Sequence, residues 1–140
     1  MDILDTLNIA GSGLNAERIR LTTVAANMAN ARTTKTAEGG PYQRRAPVFE
    51  ARALDPFGDT LESALASVEV SDIRTFESAG NRVHDPGNPD ADADGYVTYP
   101  DINIMHEMVD LMTTSRSYEA NANVIDTTRD LAMRALDIGR

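Results

Sequence analysis

Leu7, Leu14, Leu21 and Met28 recur at seven-residue intervals, and Ala10, Val24 and Ala31 follow them at a three-residue offset. With no Pro between Leu4 and Ala31, this spacing predicts a helix carrying one narrow apolar stripe. Glu17 falls in the companion series, and Gly11 and Gly13 each cost about 1 kcal/mol relative to Ala in a helix interior. Such a helix needs a partner. A second helix is predicted from Ile104 to about Ile138. Ile104, Leu111, Tyr118, Ile125 and Ala132 form its first series and Met108, Ser115, Ala122 and Leu136 its second, which Arg129 interrupts. Asn103 is the expected N-cap, Glu107 suits the positive end of the helix dipole, and Gly139 is a natural stop.

Between the helices the pattern changes to short extended runs, PYQRRAPVFEA, ASVEVSDIRTF and GYVTY, separated by the turn-forming stretches DPFGD, SAGN and DPGNP. Pro47 within the first run cannot donate a ladder hydrogen bond and marks an edge or irregular strand. The expected fold is mainly α with a small β insert: two long terminal helices paired as an antiparallel coiled coil, and a short β-hairpin-like middle segment. The division expected is a helical core from residues 1–34 and 101–140 and a β-rich insert at 35–100. Ala10, Ala31, Ser115, Ala122 and Ala132 let backbones approach closely but bury little apolar area, so the pair is marginal alone. It either folds back as a hairpin over the middle of the chain or finds its partners in neighbouring molecules.

Charge and composition exclude several functions. The formal net charge is −9 and no segment is basic, so phosphate backbones are repelled on average. Arg44 and Arg45 are adjacent but lack the interleaved aromatics that stack bases, and nucleic acid is not an expected partner. With no Cys, thiolate metal sites, disulfides and cysteine nucleophiles are ruled out. No run approaches the roughly 20 apolar residues that span a bilayer, so no direct membrane insertion is expected. The opening residues lack a basic leader followed by an apolar stretch, so work outside the cytoplasm would require an export route without a cleaved signal peptide.

The strongest chemical motif runs from Asp90 to Asp101. Asp90, Asp92 and Asp94, with Gly95 at the sixth position and Asp101 at the twelfth, reproduce the oxygen spacing of a calcium loop. Asp101 is shorter than the usual bidentate Glu, and the preceding DPGNP cannot form an entering helix. A capped acidic turn is therefore the main reading and a small calcium-binding module the alternative. His106-Glu107 resembles a zinc-protease helix start, but Asp110 stands where the second His should be, and His84 is expected in a turn. Gly11-Ser12-Gly13 lacks the strand and third glycine of a dinucleotide loop and reads as a flexible or close-packing spot. No nucleophile motif or triad order is present, so neither enzymatic activity, a cofactor nor a small-molecule substrate is expected. Asn27, Asn30, Asn121 and Asn123 border the apolar stripes, where amides can fix helix register and partner choice.

Three stretches carry a family resemblance: DTLNIAGSGL at 5–14, AANMANA at 25–31 and SRSYEAN at 115–121. Together they resemble the bacterial flagellar rod and hook family. Gly40-Pro41-Tyr42 and DPGNPDADADGYV at 85–97 resemble, within it, a subunit of the proximal rod. The resemblance implies a structural subunit of the basal body, exported by the flagellar type III apparatus and built into a periplasmic helical tube that transmits torque. Partners implied are copies of the chain, other rod subunits and the basal-body base. Assembly contacts are expected from Leu7, Leu14, Leu21, Val24 and Met28 on the first helix. On the second they are expected from Ile104, Met108, Leu111, Tyr118, Ile125 and Leu136, with Asn27, Asn30 and Asn121 setting register. His84 stands where similar sequences often carry an aromatic residue, and residues 55–70 follow no alignable pattern.

Overall fold

Asp2 opens the first helix by capping it reciprocally. Its carboxylate accepts from the Ile3 amide at 2.6 Å while its own amide donates to Asp5 at 2.8 Å. In this computed structural model, which describes residues 2–54 and 65–139, helix α1 then runs over Ile3–Ala29. Asn30 closes it, its side-chain amide donating to the Ala26 carbonyl and its amide oxygen accepting from Thr33. The second helix, α2, spans Ile104–Ile138. Asn103 caps it as expected, accepting from the Met105 and His106 amides, and Gly139 forms its C-cap. No helix among the described residues is long and apolar enough to cross a membrane.

The middle segment forms two ribbons where one hairpin was expected. Strands β1 (Arg44–Ala53) and β2 (Ala66–Phe76) pair antiparallel, and β3 (Asn81–His84) pairs with β4 (Tyr96–Tyr99). Strand β3 is too short to show an alternation in sequence and begins on the last residue of the SAGN turn. Pro47 lies opposite Ile73 one residue before an irregularity at Val48/Phe49, where Ser71 drops out of register. A two-stranded ribbon is all edge, so the missing donor costs no interior ladder bond. Gly80 precedes β3 at φ +72° and leaves no room for a Cβ, which would lie 2.6 Å from the Tyr99 carbonyl oxygen. The DPFGD turn lies outside the described residues.

The two helices pack antiparallel, and the β1–β2 ribbon rests on α1. Ser12 ties ribbon to helix, accepting from the Val68 amide at 3.1 Å while donating to the Ile9 carbonyl. Gly13 admits Asn121 from α2, since a Cβ there would lie 2.8 Å from the Asn121 amide nitrogen. A close-packing role thus holds for Gly13, whereas Gly11 has open space where its Cβ would be. Gly11→Ala should therefore raise stability by about 1 kcal/mol through helix propensity. Gly13→Ala should lose most of that gain or reverse it, because Asn121 must move. Urea denaturation of the two variants reads the contrast.

Candidate functional site: the junction of the helices and the first ribbon

The helix–helix seam is more polar than the sequence pattern indicated. On α1 the buried positions are Ala10, Ala16, Thr23, Val24 and Asn27, with Ala31 just beyond. Ala10, Val24 and Ala31 belong to the companion series, while Leu7, Leu14, Leu21 and Met28 sit half-buried beside it. On α2 the buried positions are Glu107, Thr114 and Thr128, and Asn121 between them is half-buried. The second expected series is offset by one residue from this line: Met108 is 44% and Leu136 69% exposed. Leu111 and Ile125 are half-buried, and Ile104 and Tyr118 are exposed. A periodicity built on apolar residues passed over the polar series because Glu, Thr and Asn do not register as interior positions.

What holds these polar residues inside is hydrogen bonding. Asn27, fully buried, uses its whole amide: Nδ2 donates to the Arg45 carbonyl at 2.8 Å and to Glu107 Oε2 at 3.0 Å. Its Oδ1 accepts from the Arg45 amide at 3.0 Å and from the Tyr42 hydroxyl at 3.2 Å. The side chain thereby meets the Arg45 backbone as a strand neighbour would and fixes the start of β1 to α1. Glu107, 1% exposed, takes a charge-assisted bond from Arg44 Nε at 2.7 Å on its other oxygen. Arg20 and Arg44 both reach Asp110, at 3.3 and 3.6 Å, and Arg44 also lies over the Phe76 ring at 5.6 Å. Three elements, α1, β1 and α2, therefore meet at one satisfied polar cluster. Glu17 is different: its Oε2 is buried without a protein partner, a weak point in the seam.

Among the register candidates, Asn27 joins helix to strand as well as helix to helix, Asn30 closes α1, and Asn121 packs against Gly13. Glu107, Arg44, Arg20 and Asp110 were not foreseen as a cluster. Only Glu107 at a position heptad-related to Thr114, Asn121 and Thr128 could have signalled it.

Residues 90–95 form a capped turn leading into β4, Asp101 lies beyond that strand, and nothing in this geometry supports the calcium alternative. Asp90 accepts from the Thr34 hydroxyl at 2.6 Å, Asp92 from Arg82 at 2.7 Å, and Asp101 from the Ser78 hydroxyl at 3.3 Å. Their oxygens point to separate partners, and no cluster of acidic or His side chains among the described residues could hold a metal ion. Asp92 Oδ1 also accepts from the Asp94 and Tyr96 amides, so it organises the turn that Gly95 closes at φ +79°. His84 lies in β3, edge-on to Tyr96 with ring centroids 5.0 Å apart, in place of the turn expected for it.

Two family models match, and both fall on the segments just described. The family described as flagella basal body rod protein covers residues 7–35. The C-terminal family of flagellar basal body rod FlgEFG proteins covers residues 93–138. They take in nearly all of each helix and leave the β1–β2 ribbon outside. These matches make the chain a structural subunit of the flagellar basal-body rod. Full-length relatives narrow this further. The flagellar basal-body rod protein FlgC of Escherichia coli O6:H1 is 36% identical over the whole of both chains, as is that of Bacillus subtilis. That of Aquifex aeolicus is 39% identical over 98% of this chain and 97% of its own. The chain belongs to the FlgC family of rod proteins.

Asn27→Ala should cost about 3 kcal/mol or more, because it strands the Arg45 amide and carbonyl and one Glu107 oxygen in a buried site. Asn30→Ala, which loosens only a helix end, should cost nearer 1 kcal/mol; chemical denaturation compares them. A second prediction concerns acid. The Tyr96 amide above all, then the Asp94 amide and Arg82, hold the Asp92 carboxyl below its ordinary range against desolvation. A depressed carboxyl stabilises the folded turn above its unfolded pKa, near 4, and loses that contribution as pH falls through the folded value. The Asp94 and Tyr96 amide resonances should therefore titrate together with a midpoint below pH ~4, and a midpoint above it would contradict this.

Proposed function

We propose that the chain is a non-enzymatic subunit of the proximal rod that polymerises through its two helices into a periplasmic tube transmitting torque. The observation that carries this is the outward face of α2. Met105, Met108, Val109 and Met112 form an exposed stripe at helical spacing, and Leu131, Met133, Leu136 and Ile138 extend the exposed apolar surface toward its far end. Contiguous apolar surface of this kind marks an interaction face. The flexible methionines suit contacts with several neighbours of differing shape.

In this reading residues 1–34 and 101–140 act as one helical core and 35–100 as an insert making lateral contacts. The half-buried Leu7, Leu14, Leu21 and Met28 and the outward Ile104, Met108, Tyr118 and Leu136 are the contact residues. They meet copies of the chain, other rod subunits and the basal-body base. The helix pair completes its coiled-coil packing only when neighbours cover these residues. The polar, small-residue seam supports a further point: the isolated pair is only marginally stable, which suits passage through the type III export apparatus without a cleaved signal peptide. Torque is resisted because each subunit shares several interfaces while its helices and first ribbon are held together at Asn27 and Glu107.

Two measurements test the proposal. Electron microscopy of basal bodies from a strain lacking the gene should find rod, hook and filament missing, and the intact gene should restore them. The variant carrying Met108→Asp and Met112→Asp should keep its helical content by circular dichroism, because both side chains are exposed, yet fall at least tenfold in motility. Normal motility of that variant would remove the α2 stripe from the contact surface.

A further inference from the structure

Beyond its irregularity, β1 leaves an outer edge open. Phe49, Glu50, Ala51, Arg52 and Ala53 are all exposed. The Leu54 amide donates to the Leu65 carbonyl at 3.0 Å, which makes 54 and 65 a hydrogen-bonded pair. The ribbon's register then turns the N–H and C=O of Glu50 and Arg52 toward β2, and those of Phe49, Ala51 and Ala53 outward. Among the described residues none of these outward amides has a partner. Other edge positions of the ribbon are closed. Arg45 exchanges bonds with Asn27, Pro47 has no N–H, the Val68 amide donates to Ser12 and the Ile73 amide to Asp72. Val68 pairs with Ala51, so Ser12 and α1 cover the β2 side there and the β1 edge points away from α1.

The charges along this edge are uncompensated. Glu50 lies directly opposite Glu69 on β2, and like charges so placed repel. Arg52 pairs with Glu69 at 3.1 Å, which leaves Glu50 without an ion pair among the described residues.

We propose that this edge pairs with the same edge of a second copy, antiparallel and centred on Ala51. In that register Phe49 faces Ala53 of the second copy and Ala51 faces its counterpart. Outward groups then meet outward groups, and each pair exchanges both N–H···O bonds. Glu50 falls across from Arg52 of the second copy, and Arg52 across from its Glu50, at the more closely spaced positions where opposite charges attract. The segment FEARA at 49–53 is thus complementary to itself, opposite charge to opposite charge and large ring to small methyl. Sliding the strands by two residues sets Glu50 against Glu50 or Arg52 against Arg52, and sliding by one turns the outward groups away from each other. The β2 edge of a second copy is a poorer occupant, because Ser12 and α1 already cover it. A two-fold contact closes on itself, whereas a growing tube is built from head-to-tail contacts. On the rod reading above, the pairing therefore belongs to the chain before incorporation, where it covers a strand edge that is otherwise a template for aggregation.

Sedimentation velocity of the purified chain should show a reversible monomer–dimer equilibrium. Arg52→Glu sets like charges across the contact and should weaken dimerisation at least tenfold. Adding Glu50→Arg to it restores opposite charges and should recover the dimer. Ala51→Pro removes an outward N–H that the monomer does not use, so the circular dichroism spectrum should be kept and the dimer lost. A chain that stays monomeric up to about 1 mM would overturn the proposal. So would a dimer unmoved by Ala51→Pro, or a charge-swapped chain that folds and does not recover the dimer. Absence of the unsubstituted chain from basal bodies would instead overturn the rod reading and leave the dimer standing.

Discussion

The side-chain amide of Asn27 is the point on which the architecture turns. It gives both of its donors and both acceptor positions to partners on β1, α2 and the loop before β1. A buried amide is costly unless satisfied, and satisfied it fixes a unique arrangement, because no other register returns all four bonds. Glu107 depends on it in turn. Its carboxylate is almost wholly buried and is tolerable only because Asn27 and Arg44 complete it. The ribbon, the first helix and the second helix are thereby set relative to one another by polar geometry more than by apolar area.

That choice of material has consequences for a subunit that must assemble. The seam of Ala10, Gly13, Ala16, Thr23, Asn121 and Thr128 buries little hydrocarbon, so apolar burial between the helices contributes little stabilisation. The larger apolar side chains of α2 face outward, where neighbours can cover them. Specificity is thus kept inside the subunit, in directional bonds, while Met, Leu and Ile side chains of α2 stay exposed. The Asp90–Asp101 stretch also uses directional bonds: its carboxylates are spent on Thr34, Arg82 and Ser78 and on the amides that shape the link from β3 to β4.

Much of this was legible in the sequence. The two helices, the Asn103 cap and the Gly139 stop follow from periodicity and from local backbone chemistry, which act over a few residues. Strands β1, β2 and β4 announced themselves by β-branched and aromatic runs, whereas β3 is four residues long and its partner is fixed across a loop. The second α2 series was read one residue away from the true seam. Met108 and Leu136 look like core residues by hydrophobicity, while Glu107 and Thr114 look like surface. Partners at 63 and 80 residues' separation decide their burial, and a pattern within one helix carries no record of Arg44 or Asn27. The calcium spacing could offer no more than an alternative for the same reason, since spacing counts oxygens without recording where each one points.

If the buried amide of Asn27 locks the junction, the first ribbon and the helix pair open as one unit. Native-state hydrogen exchange of the Arg45 amide, which donates to Asn27 Oδ1 across the junction, addresses this directly. Its opening free energy should equal that of the α1 amides around Asn27 and of the α2 amides around Glu107, within about 0.5 kcal/mol as for members of one cooperative unit. Exchange of Arg45 at a rate typical of fraying loops, with the helical amides still protected, would contradict the claim that the buried amide locks the three elements together.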